Sequence, residues 1–338
     1  MVLSHPSHPS HPSSKVTVGD QNTKIISRRF VDIDDFTQQM QSFSQVCMTQ
    51  LSLHSLQSDV WLAALGGVQF VFIKSSCPIF ISGDKPRDAI AFACLLEPTG
   101  PPIISHGRPM AHQTLGGFDP TREAKFVLPS QAYYVAFQIQ RDLLHQYLQI
   151  MGRFDLDERF WRTNYISLPE TITSVKNYLN QILYLIQHQS SLLRQSHIKT
   201  LLMDDFIPLL INAIPPGSPE ERDLPLPMSR SLLVEQAHDY MLSHLEEPIT
   251  IKDLCQALYV SHRPLFYGFQ EIFGIGPMEY LKIQRLQRVH RCLKTSTPEA
   301  TNVTAIAQRY GFWSPGHFSR DYKKMFGQSP SQTLRSSS

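Results

Sequence analysis

One pattern of apolar positions occurs twice within residues 249–334 of this 338-residue chain. In each copy, a short helical stripe is followed by a turn and by a longer stripe that ends at glycine. The apolar positions are Ile251, Leu254, Cys255, Leu258, Leu265, Phe269, Ile272 and Phe273 in the first copy, and Val303, Ile306, Ala307, Tyr310, Phe318, Tyr322 and Phe326 in the second. This spacing is typical of amphipathic helices. Because Phe269 and Tyr322 are 53 positions apart, like the other matching positions of the longer stripes, the sequence predicts one helix-turn-helix unit used twice.

Residues suited to helix ends stand at the limits of these stripes. Thr250 and Asp253 have the spacing of a capping box. The other predicted boundaries are N-caps at Ser261 and Ser314, first-turn prolines at Pro264 and Pro315, C-caps at Gly274 and Gly327, and a turn at Gly311. Serine caps free backbone N–H groups, proline tolerates the first turn, and glycine adopts the left-handed end conformation. The second helix of each unit is therefore the predicted recognition helix.

A further predicted helix, residues 277–293, joins the two units. Its inward face consists of Leu281, Leu286, Val289 and Leu293, and its basic residues are Lys282, Arg285, Arg288 and Arg291. Residues 278–293 would span ~24 Å at ~1.5 Å per residue. A rigid spacer of this length can set two recognition helices into successive major grooves, which lie about 34 Å apart, because the helices extend beyond its ends.

The charge of the chain is divided unevenly. Residues 249–338 contain 12 lysines and arginines against 5 acidic residues, whereas the rest contains 19 against 24. The overall charge of +2 therefore conceals a basic C-terminal segment. A basic excess confined to the repeat is the electrostatic pattern expected of a domain that binds nucleic-acid phosphates.

Four groups of motifs stand out in this segment. They are Tyr280-Leu281 with Arg285-Leu286, Ile306-Ala307 with Gly311-Phe312, His317-Phe318-Ser319-Arg320, and Phe326-Gly327-Gln328-Ser329-Pro330. Together they resemble the DNA-binding domain of the AraC/XylS family of bacterial transcription regulators. The motifs cover about the last quarter of the chain. Gly274-Ile275-Gly276-Pro277, Gly311-Phe312-Trp313 and Asp321-Tyr322 look most similar to the ethanolamine-operon type of regulator. That subtype implies ethanolamine or a cobalamin as effector, and nothing identified in the N-terminal half selects either.

Two residues of the first unit depart from the family pattern. Tyr259 stands where the family often has a turn glycine, and Cys255 stands where it usually has alanine. A non-glycine residue in a left-handed turn costs ~1 kcal/mol. Gly268 inside the first recognition helix is expected to weaken it by roughly 1 kcal/mol relative to alanine. The second unit is therefore expected to be the stronger anchor.

The residues expected to contact DNA lie early on each recognition helix and point away from its apolar face. They are His262, Arg263, Phe266 and Tyr267 in the first unit, and Gly316, His317 and Arg320 in the second, with Ser319 and Lys323 as phosphate contacts. Arg263 and Arg320 are the candidates for bidentate contacts to guanine, and Phe266 for contact with a thymine methyl group. Pairing of either arginine within the protein is the alternative.

The N-terminal half predicts many short strands. A helix capped by Asp34 or Asp35 would run to Phe43, and Gly66-Gly67 is a hairpin signal. The predicted strands are residues 45–56, 60–65, 68–74, 79–82, 89–97, 102–105, 124–128 and 132–138. Such strands suggest a small barrel or a sheet rolled upon itself. The family resemblance implies that this region is a cupin-like regulatory domain, so the expected fold class is α+β with an all-α C-terminal domain.

The predicted organisation has five parts. Residues 1–22 form a disordered His/Pro/Ser tail, 23–140 a β-rich regulatory domain, 141–217 a helical segment, 218–227 a linker and 228–338 the DNA-binding domain. The longer helix of the helical segment is expected to begin at Pro169. The helices of residues 141–217 either form a dimer surface, as family analogy suggests, or pack against the barrel.

No catalytic or metal-binding constellation is found. His54, His106 and His112 lack the spacing of a metal-dependent cupin, and Ser105-His106-Gly107 and Cys94 are lone candidates. His5, His8 and His11 in the tail could hold a metal only if extended, and a neutral tail is favoured. Five cysteines without close pairing predict a reduced, cytoplasmic chain. No apolar run reaches the ~20 residues of a membrane span.

The favoured function is a transcription regulator whose DNA binding responds to an effector bound by residues 28–140. The alternative is a constitutive DNA-binding protein whose N-terminal half serves only dimerisation or a partner. Double-stranded DNA is the expected partner, and the resemblance implies a second copy of the chain, RNA polymerase and a small-molecule effector. No cofactor, enzymatic activity or membrane contact is expected.

Overall fold

The computed structural model describes residues 24–97, 99–216, 228–298 and 301–336. The predicted tail, residues 1–22, and the predicted linker, residues 218–227, lie outside the described residues. Within the described part, an N-terminal region of two sheets and four helices precedes a C-terminal region that is entirely helical. This is the predicted fold class.

Twelve strands form two sheets in the described N-terminal region. The strands are β1 (Ile25–Phe30), β2 (Gln45–Gln50), β3 (Ser58–Leu65), β4 (Val68–Ser75), β5 (Ile79–Asp84), β6 (Ala89–Leu95), β7 (Ile103–Ser105), β8 (Arg108–Met110), β9 (Thr114–Gly116), β10 (Ala124–Leu128), β11 (Tyr133–Gln140) and β12 (Tyr165–Ser167). The larger sheet has the order β1-β3-β4-β11-β6-β9-β12, and the smaller has the order β2-β5-β10-β7-β8. The paired strands are antiparallel.

The larger sheet is buried on both faces, which explains the nearly continuous apolar run of β4. Val71 and Ile73 face the smaller sheet and join the core between the sheets. Phe70 and Phe72 point the other way and pack against the helices that cover the larger sheet. Successive side chains of a strand face opposite sides. A strand covered on both sides therefore has little need for polar positions.

Eleven helices lie in the described residues, besides two short 3-10 turns. They are α1 (Ile33–Met40), α2 (Arg141–Ile150), α3 (Ile172–His188), α4 (Ser196–Ala213), α5 (Met228–Ser243), α6 (Ile251–Ala257), α7 (His262–Phe273), α8 (Pro277–Thr295), α9 (Val303–Arg309), α10 (Pro315–Phe326) and α11 (Pro330–Arg335). Helices α2, α3 and α4 share one core with the larger sheet. Packing against the sheets is therefore observed, and dimerisation stays a prediction. None of the described helices is both long and apolar enough to cross a bilayer.

Several predicted boundaries of the N-terminal region were wrong. The cap of α1 is Asp32, whose carboxylate accepts from the backbone N–H groups of Asp34 and Asp35, and the helix ends at Met40. Strand β2 stops at Gln50, whose side-chain amide donates to backbone carbonyls of the following turn. Helix α3 begins at Ile172 rather than at Pro169.

The core of residues 228–338 also includes side chains from upstream. Leu51, Phe80 and Val127 of the N-terminal region belong to the same buried cluster as Phe269 and Phe273 of α7. Phe80 packs edge-on against Phe273, with ring centroids 5.2 Å apart. The smaller sheet thus covers part of the first helix-turn-helix unit, which a reading of the C-terminal sequence alone does not reveal.

Candidate DNA-binding surface

The first helix-turn-helix unit consists of α6 and α7. Thr250 and Asp253 form the predicted capping box at the start of α6. Ser261 stands at the N-cap position of α7 but makes no side-chain cap hydrogen bond. The helix ends at Gly274, whose φ of 72° is left-handed. The predicted boundaries of this unit are therefore confirmed, although Ser261 does not act through its hydroxyl.

The second unit consists of α9 and α10. The side chain of Asn302, which the sequence analysis did not single out, accepts from the backbone N–H of Ala305 and caps α9. Pro315 is at the first position of α10, as predicted, and the helix ends at Gly327 with a φ of 73°. Both recognition helices thus end in the same left-handed conformation, which glycine adopts without steric cost.

The turns of the two units differ by one residue. Tyr259 and Gly311 both have positive φ, at 54° and 81°, and they are 52 positions apart. From the N-caps Ser261 and Ser314 onward, the offset is 53. The extra residue of the second turn is Trp313, whose side chain is 70% exposed. The sequence analysis did not include Trp313 among the DNA-contacting residues. The change of offset from 52 to 53 positions was the signal in the sequence that could have identified it.

Helix α8 connects the units with a buried face that includes Leu281, Leu286, Val289 and Leu293, as predicted. Its basic residues are largely held by protein groups. Arg285 donates to the backbone carbonyls of Leu245 and Glu247. Lys282 pairs with Asp321, and Arg291 pairs with Asp34. These three cations contribute less to a phosphate-binding surface than their number in the sequence suggests.

The four predicted DNA-contacting residues of α7 share its exposed face. His262, Arg263, Phe266 and Tyr267 are exposed, whereas Leu265 and Phe269 are buried. The ring of His262 stacks on Phe266 with centroids 5.8 Å apart, and the guanidinium of Arg263 lies 5.5 Å from the centroid of Tyr267. Such cation-aromatic contacts orient a side chain without neutralising its charge. Arg263 therefore keeps its positive charge toward solvent.

The five predicted residues of α10 are also exposed on one helix. Gly316, His317, Ser319, Arg320 and Lys323 are exposed, and the buried face contains Phe318 and Tyr322. No hydrogen bond or ion pair of the Arg320 side chain is seen within the described part of the chain. The exposed Lys324 extends this basic face. Lys324 follows Arg320 by four positions, which is about one helical turn. The sequence analysis did not name Lys324, and this spacing could have identified it.

A histidine-tyrosine pair supports each unit from within. His238 Nδ1 lies 2.7 Å from the hydroxyl of Tyr280, and His290 Nδ1 lies 2.6 Å from the hydroxyl of Tyr322. Burial lowers the pKa of His238, and burial raises the pKa of both tyrosines. Both tyrosines therefore remain neutral hydrogen-bonding groups at physiological pH.

His106 and Cys94, which the sequence analysis named as lone candidates for catalysis or metal binding, do not come together in one site. His106 contacts the backbone carbonyl of Glu123, and burial lowers its pKa to about 4. Burial raises the pKa of the Cys94 thiol to about 12. Among the described residues, no group of three or more His, Cys, Asp or Glu side chains could hold a metal ion. These residues fit structural roles.

Comparisons with known proteins match the C-terminal helices. A family model described as a helix-turn-helix domain matches residues 254–336. A probable thc operon regulatory protein of Rhodococcus erythropolis is 42% identical over 103 residues, which are 30% of this chain and 31% of that protein. The XylDLEGF operon transcriptional activator 2 of Pseudomonas putida is 30% identical over a segment that makes up 30% of this chain and 64% of that protein. The chain thus spans less than two thirds of either relative.

Two solved structures are also similar to parts of this chain. The crystal structure of a probable AraC family transcriptional regulator from Rhodopseudomonas palustris is 41% identical and covers 31% of this chain and 97% of its own, with a TM-score of 0.30. ToxT from Vibrio cholerae covers 82% of this chain and 96% of its own at 13% identity and a TM-score of 0.26. The family consists of transcription regulators, not enzymes. Through its two helix-turn-helix units, the chain belongs to the AraC/XylS family of helix-turn-helix transcription regulators.

Proposed function

We propose that the protein is a sequence-specific DNA-binding transcription regulator that places α7 and α10 in successive major grooves. The observation that carries this proposal is a pair of recognition helices, each with an exposed polar and aromatic face, that both pack against α8. The 19 residues of α8 span ~28 Å at ~1.5 Å per residue. Two helices mounted on such a spacer fit a groove repeat of about 34 Å.

The proposed base-reading residues are those that the sequence predicted. They are His262, Arg263, Phe266 and Tyr267 on α7, and Gly316, His317 and Arg320 on α10, with Ser319 and Lys323 on phosphates. Exposure supports all nine, and the absence of an acidic partner near Arg320 in the described residues supports a guanine contact. Arginine is the side chain that most often reads guanine, through two parallel hydrogen bonds.

Regulation by a small molecule is supported by a pocket between the two sheets. Its lining is mostly apolar and includes Val71, Ile81, Phe126 and Tyr134. Lys85 is the cationic group of the lining, and its Nζ donates to the carbonyl oxygen of Asp119 at 2.8 Å. Burial lowers the pKa of Lys85 to about 8. A small and largely apolar effector suits this pocket better than ethanolamine, so the ethanolamine-operon subtype stays a prediction that the pocket does not favour.

The predicted division of the chain and its assembly are proposals as well. We take residues 23–140 as the regulatory domain and residues 228–338 as the DNA-binding domain. Homodimerisation through residues 141–217 is supported by exposed apolar side chains there, such as Ile150, Phe154 and Leu201. Contact with RNA polymerase rests on the family alone.

The experiment is selection of random DNA by the full chain, followed by affinity measurements at several salt concentrations. We expect one enriched sequence and an affinity that falls steeply with salt, because bound phosphates release counterions. The double variant Arg263→Ala with Arg320→Ala should lose the sequence preference. Arg159→Ala removes the same kind of charge from an exposed position of the N-terminal region and is the matched control. Enrichment of no sequence, or equal binding by the double variant, would contradict the proposal.

The effector is tested separately from DNA binding. A compound screen that follows the melting temperature should find ligands whose effect is lost in Lys85→Met, which removes the amine but keeps much of the side-chain volume. If no compound shifts either the melting temperature or the DNA affinity, the constitutive alternative is favoured.

A further inference from the structure

Asp32, in the N-terminal region, serves two structural elements with its two carboxylate oxygens. Oδ1 accepts from the backbone N–H groups of Asp34 and Asp35 at 2.7 and 3.2 Å and thereby caps α1. Oδ2 accepts from His290 Nε2 at 2.7 Å and from Lys294 Nζ at 3.1 Å. Since His290 and Lys294 lie on α8, this one carboxylate joins the start of α1 to the helix between the two DNA-binding units.

His290 continues this contact into the second recognition helix. Its side chain is only 3% exposed, and its Nδ1 lies 2.6 Å from the hydroxyl of Tyr322 on α10. The ring of Phe326, also on α10, stacks on it with centroids 4.1 Å apart and planes inclined by 5°. Tyr322 in turn donates to Thr333 Oγ1 of α11 at 2.9 Å. A hydrogen-bonded chain therefore runs from Asp32 through His290 to the buried face of α10.

Flanking contacts hold the same two helices together. Arg291 Nε donates to Asp34 Oδ1 at 2.7 Å, and Lys294 Nζ donates to Asp35 Oδ1 at 2.8 Å. We call this group of contacts between α1 and α8 the acidic clasp. The first unit meets the N-terminal region elsewhere, through Phe80 against Phe273, and α5 meets it through an ion pair of Glu235 with Lys125. The acidic clasp thus lies beside the second unit.

His290 is buried and Asp32 is half-buried, so their contact is largely shielded from water. Burial alone would raise the pKa of Asp32, but the hydrogen bond and charge of His290 and the nearby charge of Lys294 outweigh it, and the pKa falls well below its usual range. Removing one partner of such a buried pair leaves the other without a partner, which is costly. Tyr322 occupies the buried face of α10, and Arg320 and Lys323 stand within two positions of it on the exposed face. A shift of Tyr322 is therefore a shift of the DNA-facing side chains.

We infer that Asp32 is a positioning residue for DNA recognition: acting through His290 and Tyr322, it holds the second recognition helix in the orientation that binds its half-site. The inference rests on the proposed function, because it requires α10 to read DNA. It adds that a residue of the N-terminal region determines how well one half-site, and not the other, is recognised.

The test is a pair of double-mutant cycles in the full chain, with affinity for the selected DNA as the readout. Asp32→Asn is the main variant, because asparagine has a single side-chain oxygen and cannot both cap α1 and accept from His290. We expect Asp32→Asn to weaken binding about 5-fold or more. In an Arg320→Ala background the further loss should be small, since the contact that Asp32 positions is already gone. In an Arg263→Ala background the full loss should remain.

Asp59→Asn is the matched control. It makes the same change of charge at an ion pair with Arg29 on the surface of the larger sheet, and binding should not change. If Asp32→Asn fails to fold, His290→Asn is measured in the same cycles. Its amide is too short to reach both Tyr322 and Asp32, so the same pattern is expected.

Three results would overturn the inference. Unchanged affinity in Asp32→Asn would show that the clasp does not position α10. Equal losses in the Arg320→Ala and Arg263→Ala backgrounds would show a general loss of stability instead. Unchanged binding by Arg320→Ala alone would contradict the proposed reading residues, and this inference with them.

Discussion

Gly268 of α7 lies directly against Val234 of α5: a Cβ at Gly268 would come within 2.7 Å of Val234 Cγ2. The sequence suggested that Gly268 weakens the first recognition helix. The close approach of the two helices supplies a reason for glycine instead. We therefore expect Gly268→Ala to destabilise the protein by about 1 to 3 kcal/mol, because overpacking outweighs the gain in helix propensity.

Urea unfolding of the full chain measures this effect. Gly316→Ala is the matched control, since nothing lies within 4 Å of a Cβ at that position of α10. The control should be neutral or slightly stabilising. A Gly268→Ala variant as stable as this control would show that α5 moves aside without cost.

Tyr259 is the second position where backbone strain predicts a measurable effect. Its φ is 54° and its side chain is 96% exposed. The left-handed backbone that the sequence analysis considered is thus observed, and the side chain has little packing to lose. Tyr259→Gly should raise the free energy of unfolding by ~1 kcal/mol, because glycine adopts positive φ without strain.

Trp313→Gly provides the comparison for this gain. Trp313 is likewise an exposed aromatic residue of a turn, but it is not among the residues with positive φ. Trp313→Gly should therefore not raise the free energy of unfolding. Destabilisation by Tyr259→Gly would refute the view that strain makes the first unit the weaker one.

Residues 228–338 as a separate fragment are expected to bind DNA with strong salt dependence. The fragment contains both units and α8, but it lacks Leu51, Phe80 and Val127, which cover Phe273 and its neighbours in the full chain. Its melting temperature should therefore be lower than that of the same helices in the full chain. Replacing Phe273 by Gln in the fragment should cost less stability than in the full chain. A folded fragment without affinity for DNA would contradict the DNA-binding assignment.

Acid should weaken the protein partly through Asp32. Because the folded pKa of Asp32 is lowered, its contribution to stability is fully present above the unfolded value of about 3.9 and is lost as the pH falls toward the folded value. Unfolding free energies measured between about pH 2 and 6 should therefore rise with pH, and the slope should be smaller in Asp32→Asn. An equal slope in the two proteins would show that Asp32 does not have a lowered pKa.

Local signals predicted the C-terminal helices well. Gly274, Gly327 and Pro315 mark helix ends through backbone preferences that act within a few residues, and the structure places the ends there. The three-residue strands β8, β9 and β12 were missed because pairing with distant segments, not local propensity, forms them. Likewise, the sequence showed Asp34 or Asp35 as a cap, but only the fold brings Asp32 to His290, 258 positions away.

The exposure of the candidate residues was predictable for the same local reason. Helical spacing alone separates Arg263 and Arg320 from the buried face, and both side chains are exposed. The pairing of Arg285 and Arg291 with protein groups could not be predicted, because their partners Leu245, Glu247 and Asp34 come from other elements. Charge counted along the sequence therefore overestimated the free charge of α8.

Base-resolved footprinting of the full chain on its selected DNA tests the central claim most directly. Two recognition helices on one spacer predict two protected half-sites about 10 base pairs apart on one face of the DNA. Arg320→Ala should cost about 1 to 3 kcal/mol and relax the preference at one base pair of one half-site, and Arg263→Ala should do the same in the other. A single protected site, or variants that weaken binding equally on every sequence, would contradict this account.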